Sequence, residues 1–307
     1  MSISTNSLGA VAAVDKSRVA VFADLIKARL TALVLLTTLA GFYLGWRGPM
    51  DLGLMWHTVF GTGLVAAGAA ALNQLLEREH DARMRRTAAR PLPSGRLQPV
   101  TVMLFGGASS VSGLVYLAWL VNPLTSVLGA VTLVSYLFVY TPLKRVTWWN
   151  TAVGAIPGGL PPLMGWAAAR GDLGGGGWAL FALLAVWQLP HFYAIAWIYR
   201  DEYARAGFQM LPGVDPNGLR TARQALGWAL TLLPVSALPF AFGFAGPVYL
   251  GCALALGAGF VAAAVGFLMR MARGTEAEAL SAARRLFLAS IVYLPLVLGA
   301  MVLDRGG

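Results

Sequence analysis

Residues 54–90 read LMWHTVFGTGLVAAGAAALNQLLEREHDARMRRTAAR. The first part is apolar and long enough to cross the hydrocarbon of a bilayer as an α-helix, which takes about 20 residues. Polarity then changes abruptly. Asn73, Glu77, Glu79 and Asp81 are followed by Arg83, Arg85, Arg86 and Arg90. A span that runs directly into mixed acids and bases implies a membrane protein with chemistry at one face.

The rest of the 307 residues agrees. Hydrophobic residues make up 58% and charged residues 12%, about half the charged share of a soluble domain, and the mean hydropathy is +0.67. So little charge cannot cover a soluble protein of this size. That excludes an ordinary cytosolic enzyme, a disordered chain and, despite a net charge of +10, a nucleic-acid-binding domain. The lone Cys252 allows no internal disulfide and reads as packing.

Nine apolar runs stand out, at roughly 29–46, 54–76, 100–121, 123–141, 151–169, 178–199, 222–245, 247–269 and 284–303. They predict an all-α fold, a polytopic membrane bundle of nine transmembrane helices. The fifth is the weakest, with Gly154, Pro157, Gly158, Gly159, Pro161 and Pro162 in one stretch. Read alone it is compatible with a loop, and in a bundle a broken helix is tolerated where neighbours satisfy its backbone. Asn122-Pro123 marks the turn between the third and fourth runs.

The basic residues test this count. Lys16, Arg18, Lys27 and Arg29 precede the first span, and the rest cluster after the second, fourth, sixth and eighth. Together these hold 20 of the 23 Lys and Arg; only Arg47, Arg170 and Arg305 fall on the other side. By the positive-inside rule the 20-charge face and the N-terminus are cytoplasmic, with the C-terminus opposite. Residues 1–24 lack the charged start, short apolar core and cleavage site of a signal peptide. They are expected to form a flexible cytoplasmic tail before a single nine-span domain over 25–307. The cytoplasmic active face and the absence of a convincing transit peptide point to a bacterial inner or plasma membrane.

Basic clusters at a membrane face can serve topology and anionic lipid alone. The loop after the second span asks for more, because acids are mixed in. Asn73, Glu77 and Asp81 are spaced i, i+4, i+8 and fall on one helix face. Three oxygen donors on one face make half a site for a hard cation such as Mg²⁺, which binds through one or two carboxylates plus substrate phosphates. The same residues also suit a helix end held by salt bridges. The arginines that follow favour the first reading, since guanidinium forks bind phosphate oxygens in bidentate pairs. The fourth span ends Tyr140-Thr141-Pro142-Leu143-Lys144-Arg145, and the sixth contains Trp187-Gln188-Leu189-Pro190-His191-Phe192 before Asp201. Polar residues at that depth usually face the bundle interior and are functional candidates. A His held between helices by a hydrogen bond is the plainer alternative. The pattern fits an enzyme using an isoprenoid diphosphate. A transporter more often shows symmetric broken helices, and the fifth span has no such mate.

At these residues the chain resembles the UbiA-type intramembrane prenyltransferases, over about residues 25 to 303, and within them the heme branch. The carrying strings are Asn73…Glu77…Asp81 with Met84-x-Arg86-Thr87-x-x-Arg90-Pro91-Leu92, and Tyr140-Thr141-Pro142-Leu143-Lys144-Arg145. They continue with Pro161-Pro162-x-x-Gly165-Trp166, Trp187-Gln188-x-Pro190-His191-Phe192 and Asp201-x-Tyr203. The resemblance implies a nine-helix enzyme that moves the farnesyl group of farnesyl diphosphate to a vinyl group of heme B, with addition of water, to give heme O for terminal oxidases. It implies metal binding by Asn73, Glu77, Asp81 and Asp201, and diphosphate binding by Arg83, Arg86, Arg90, Lys144 and Arg145. It places Tyr140 by the allylic cation, and Trp187, Gln188 and His191 at heme, with His191 an axial ligand or an orienting hydrogen bond. Catalysis then falls to Asn73, Asp81, Lys144 and Asp201, and heme A synthase is the implied pathway partner. The chain departs from the superfamily pattern twice: Glu77 stands where Asp is usual, and Arg205 where a second motif Asp-x-x-x-Asp would end. A quinone-precursor or chlorophyll-type acceptor on the same scaffold, and a transporter, are the competing readings.

Overall fold

The computed structural model describes residues 17–306. Nine long helices lie among them: α1 Ala28–Gly45, α2 Leu52–Asp81, α3 Pro99–Leu120, α4 Pro123–Leu143, α5 Asn150–Arg170, α6 Gly175–Ile198, α7 Leu219–Ala241, α8 Pro247–Arg273 and α9 Glu276–Leu303. Eight are long and apolar enough to cross a membrane by length and composition. The ninth is α5. Its 21 residues hold Pro157, Pro161 and Pro162, yet it is one continuous helix.

The packing explains why α5 differs. Helices α1–α5 pack in a closed ring, α6–α9 pack in another, and α5 against α6 joins them. Thus α5 touches protein nearly all round, with Gly159 to Ala168 buried without a break. A helix enclosed by protein needs small residues for close approach rather than a lipid-soluble surface. The α1–α5 contact shows this: a Cβ on Gly165 would collide with the Thr38 carbonyl, and one on Gly41 with that of Pro162. The outward faces of other helices instead carry exposed Leu33, Leu36, Trp119, Phe138, Ile291 and Leu303, the surface expected of a chain solvated by lipid tails.

Local signals set the ends. Asn122 caps α4 by accepting from the Thr125 amide at 2.8 Å, and donates to the Ala167 carbonyl at 3.0 Å. Helix α9 starts about two turns before the predicted span, because Thr275 and Glu278 form a reciprocal capping box. Residues Ser135–Tyr140 of α4 are wound as a π-helix, a form that recurs at functional sites.

Residues 1–16 of the expected tail lie outside the described residues. Residues 17–24 do not continue a tail: Arg18–Leu25 is a helix capped by Ser17, with Val21 and Leu25 buried. Buried Gln74 of α2 holds its end, donating to the carbonyls of Asp24 at 3.0 Å and Leu25 at 2.7 Å. The apolar Val21 and Leu25, one turn apart, give that helix a face to bury.

Candidate active site

The segments that end on the basic side meet in space. Asn73, Glu77 and Asp81 are all buried on one face of α2, as their spacing predicts. Each faces a cation from a different segment. The Lys27 ammonium donates to Asn73 Oδ1 at 2.8 Å. Lys144, just past α4, pairs with Glu77 at 2.8 Å. Arg90 pairs with Asp81 at 2.6 Å. The second Asp81 oxygen, Oδ1, is buried and has no hydrogen-bond partner. An unpartnered buried carboxylate oxygen is costly. Glu77 lies one turn and Asn73 two turns back along the same helix face, and all three donors are of the hard-oxygen type that Mg²⁺ takes. The residues fit a divalent cation.

Surrounding groups fix this geometry. Asn73 Nδ2 donates to Thr141 at 3.1 Å, which orients its carbonyl oxygen toward Lys27. Thr87 donates to the Asp81 carbonyl at 2.7 Å. Lys144 lies 4.5 Å over the Tyr140 ring, and Gly154 leaves room for that ring, since a Cβ there would come within 2.5 Å of Tyr140 Cε2. The Gln209 amide donates to the Lys144 carbonyl at 2.6 Å, and His80 bonds the Ala206 carbonyl at 2.7 Å. These bonds tie the loop after α6 to the ends of α2 and α4.

Lys27 is the member of this cluster that sequence reasoning did not single out. It is the single non-glycine residue with positive φ among those described, at +50°, a conformation that costs about 1–2 kcal/mol. Strain of that kind gathers at functional sites. Burial, with Arg90 and Lys144 close by, brings its ammonium down to about 7 against the opposing pull of Glu77 and Asp81. Burial would also lower Lys144, but Tyr140 and the paired Glu77 outweigh it and hold that ammonium above the usual lysine range. No local signal marks Lys27, because its partner lies 46 positions away.

The remaining expected residues divide. Arg86 donates to the Tyr203 hydroxyl at 2.9 Å and lies over the rings of Tyr199 and Tyr203 at 4.9 and 5.2 Å. Arg145 donates to the Leu76 carbonyl at 2.7 Å. Both therefore rim the cluster. Arg83 is exposed, and its side chain makes no hydrogen bond or ion pair among the described residues. Asp201 is not brought to the α2 carboxylates. Its side chain is 79% exposed beside Arg200, at 4.0 Å. On the short helix Arg200–Arg205 the acid that does reach the arginine loop is Glu202, which accepts from the Arg86 amide at 3.4 Å. Among the described residues no three His, Cys, Asp or Glu side chains form a metal cluster.

The expected heme residues also separate. Trp187 and His191 are one helical turn apart on α6 and stack at 5.2 Å, facing α9. Gln188 points about 100° away, donates to the Leu184 carbonyl at 2.9 Å and packs against Gly158 of α5. Gln188 therefore does not join the other two.

Comparison with known proteins agrees with this architecture. A model described as the UbiA prenyltransferase family matches residues 34–291. The chain is 49% identical over 296 residues to a protoheme IX farnesyltransferase of Solibacter usitatus, covering 93% of this chain and 99% of that protein. It is 44% identical over 280 residues to one of Salinibacter ruber, covering 91% and 96%. Among solved structures, a digeranylgeranylglyceryl phosphate synthase superposes with a TM-score of 0.76 at 16% identity, covering 93% of this chain and 98% of that one. A UbiA homologue from Archaeoglobus fulgidus bound to GPP and Mg²⁺ superposes with a TM-score of 0.64 at 16% identity, covering 92% and 99%. These two show a shared fold.

Proposed function

The chain belongs to the UbiA prenyltransferase family, and from that premise we propose that it farnesylates heme B to heme O at the membrane, as its relatives' names state of them. One observation carries the reading. Three buried oxygen donors on one helix face meet three cations from separate segments, and one carboxylate oxygen is left over. That arrangement suits a metal–diphosphate group, whose charges can replace the internal pairs.

Asn73, Glu77 and Asp81 would hold Mg²⁺, and Lys144, Arg90, Arg86, Arg145 and Lys27 would hold the diphosphate. When bound, the metal supplies charge stabilisation to the leaving diphosphate. The preorganised ammonium and guanidinium groups act on the same developing charge in a water-poor setting. The allylic C–O bond then breaks, and the diphosphate leaves with the electron pair. The Tyr140 ring offers a π face to the resulting cation. The heme vinyl group supplies the electron pair for the new C–C bond, water adds at the adjacent carbon, and a proton is released. The product carries a hydroxyethylfarnesyl chain. Trp187 and His191, on a separate helix pair, would hold the heme.

The 20-charge face is the cytoplasmic one in this reading, by the positive-inside rule. The product would then pass to a heme A synthase or directly to a terminal oxidase. Incubation of the purified protein with heme B, farnesyl diphosphate and Mg²⁺, followed by mass spectrometry of the hemes, tests the proposal. A mass gain of farnesyl plus water is expected. Unchanged heme, with the farnesyl group transferred to another acceptor and diphosphate released, overturns it.

A further inference from the structure

The contacts around His191 determine which of its ring nitrogens carries the proton. His191 Nδ1 lies 2.7 Å from Ser290 Oγ on α9. Ser290 Oγ also lies 2.5 Å from the Phe287 carbonyl oxygen. A carbonyl oxygen only accepts, so the Ser290 hydroxyl proton is spent on Phe287. A hydroxyl has one proton and two lone pairs. The second contact must therefore be Nδ1–H of His191 donating to Ser290 Oγ. In the neutral ring this leaves Nε2 with the free lone pair, and Nε2 has no partner among the described residues.

The ring plane is fixed as well. His191 lies between Trp187, stacked at 5.2 Å and 27°, and Phe287, tilted at 5.0 Å and 34°. The Trp187 indole N–H donates to the Ser290 backbone carbonyl at 2.9 Å, so one residue of α9 holds both rings of α6. Ser290 is fully buried. The Ser290 hydroxyl makes two polar contacts of matched direction, giving its proton to Phe287 of its own helix and accepting from His191 of α6.

We propose that Ser290 is a positioning residue for the acceptor heme: it locks His191 as the Nδ1–H tautomer, so that Nε2 ligates heme iron rather than donating a hydrogen bond. Partners on the far nitrogen of a ligating His orient the ring and raise its basicity, and their loss typically weakens metal binding by about 10- to 100-fold. The inference rests on the reading that His191 meets heme, and it selects ligation from the two roles open to that residue.

The test uses the full-length protein in detergent, titrated with heme B and followed by absorption and by resonance Raman spectroscopy of the ferrous complex. Wild type is expected to show an iron–histidine stretch that disappears in His191→Ala. Ser290→Ala is expected to shift that stretch and weaken heme binding by about 10- to 100-fold. Ser290→Thr, which keeps the hydroxyl, should retain both, and inorganic diphosphate binding with Mg²⁺ should stay within about twofold in all three variants. A Ser290→Ala protein with wild-type stretch and affinity overturns the lock while leaving His191 as the heme contact. A His191→Ala spectrum identical to wild type overturns the heme reading itself. Parallel loss of heme and diphosphate binding in Ser290→Ala marks a general packing defect and also counts against the lock.

Discussion

The two polar regions of this bundle are built on opposite principles. At the end of α2, charge is met with charge: Glu77 with Lys144 and Asp81 with Arg90. Between α6 and α9, polarity is met with neutral dipoles alone, through His191, Ser290, Trp187 and a backbone carbonyl. Desolvating an ion is expensive even when it is paired, so the charged set sits where helices end and loops supply many partners. The neutral set sits within the spans, where one uncompensated charge would be hard to hold. The contrast matches two ligands of different character. A diphosphate needs exchangeable cations, while a heme needs an oriented ring in an apolar slot.

Asp81→Ala should break the charged region most severely. It removes the carboxylate with the unpaired oxygen, and turnover is expected to fall beyond the roughly 10³-fold that one preorganised group can carry. The assay is heme B conversion in washed membranes containing equal amounts of folded protein. Near-normal conversion would mean that this carboxylate holds no metal.

Lys144→Met probes stability next. It strands Glu77 as a buried charge, and unfolding in detergent should show a loss of about 3–5 kcal/mol. The double variant Glu77→Gln with Lys144→Met should regain most of that stability while remaining inactive. A single variant as stable as the parent would show that the pair is not desolvated.

Gly165→Ala attacks the scaffold between the regions. The added methyl meets the Thr38 carbonyl, and overpacking of this kind costs about 1–3 kcal/mol. Because α1 follows directly on Lys27, diphosphate affinity should fall while heme affinity holds. Equal loss of both would mean that the two helix rings respond as one body.

His191→Ala should have the mildest effect on the molecule and the most selective one. Heme affinity is expected to fall at least about 100-fold, near 2.7 kcal/mol, with diphosphate binding unchanged in a calorimetric titration. A drop in diphosphate binding alongside it would erase the distinction between the regions.

Much of this was open to inspection in the sequence. Eight spans announce themselves because lipid-facing helices must be apolar, and Asn73, Glu77 and Asp81 because a helix repeats every 3.6 residues. Helix α5 was marginal for a physical reason: enclosed by protein, it carries Gly and Pro where the others carry Leu and Val. Lys27 and Ser290 were invisible because their roles arise from contacts 46 and 99 positions apart along the chain. Gln188 was grouped with its neighbours by proximity in sequence, although one residue on a helix turns the side chain by about 100°. Asp201 was placed at the metal by its motif, and the short helix Arg200–Arg205 presents it outward instead.

The π-wound segment Ser135–Tyr140 bears on how the fourth span tolerates change. Such a segment amounts to a one-residue insertion in an α-helix, so it acts as an angular offset of about 100° for everything that follows. Deleting one residue there would leave a span still long and apolar enough for the bilayer. It would also rotate Lys144 off Glu77 and Tyr140 off its place beside Gly154. The length of this helix is thus governed by rotational phase at its end as much as by membrane thickness, and a chain that looks intact to the lipid would be mistimed for the diphosphate.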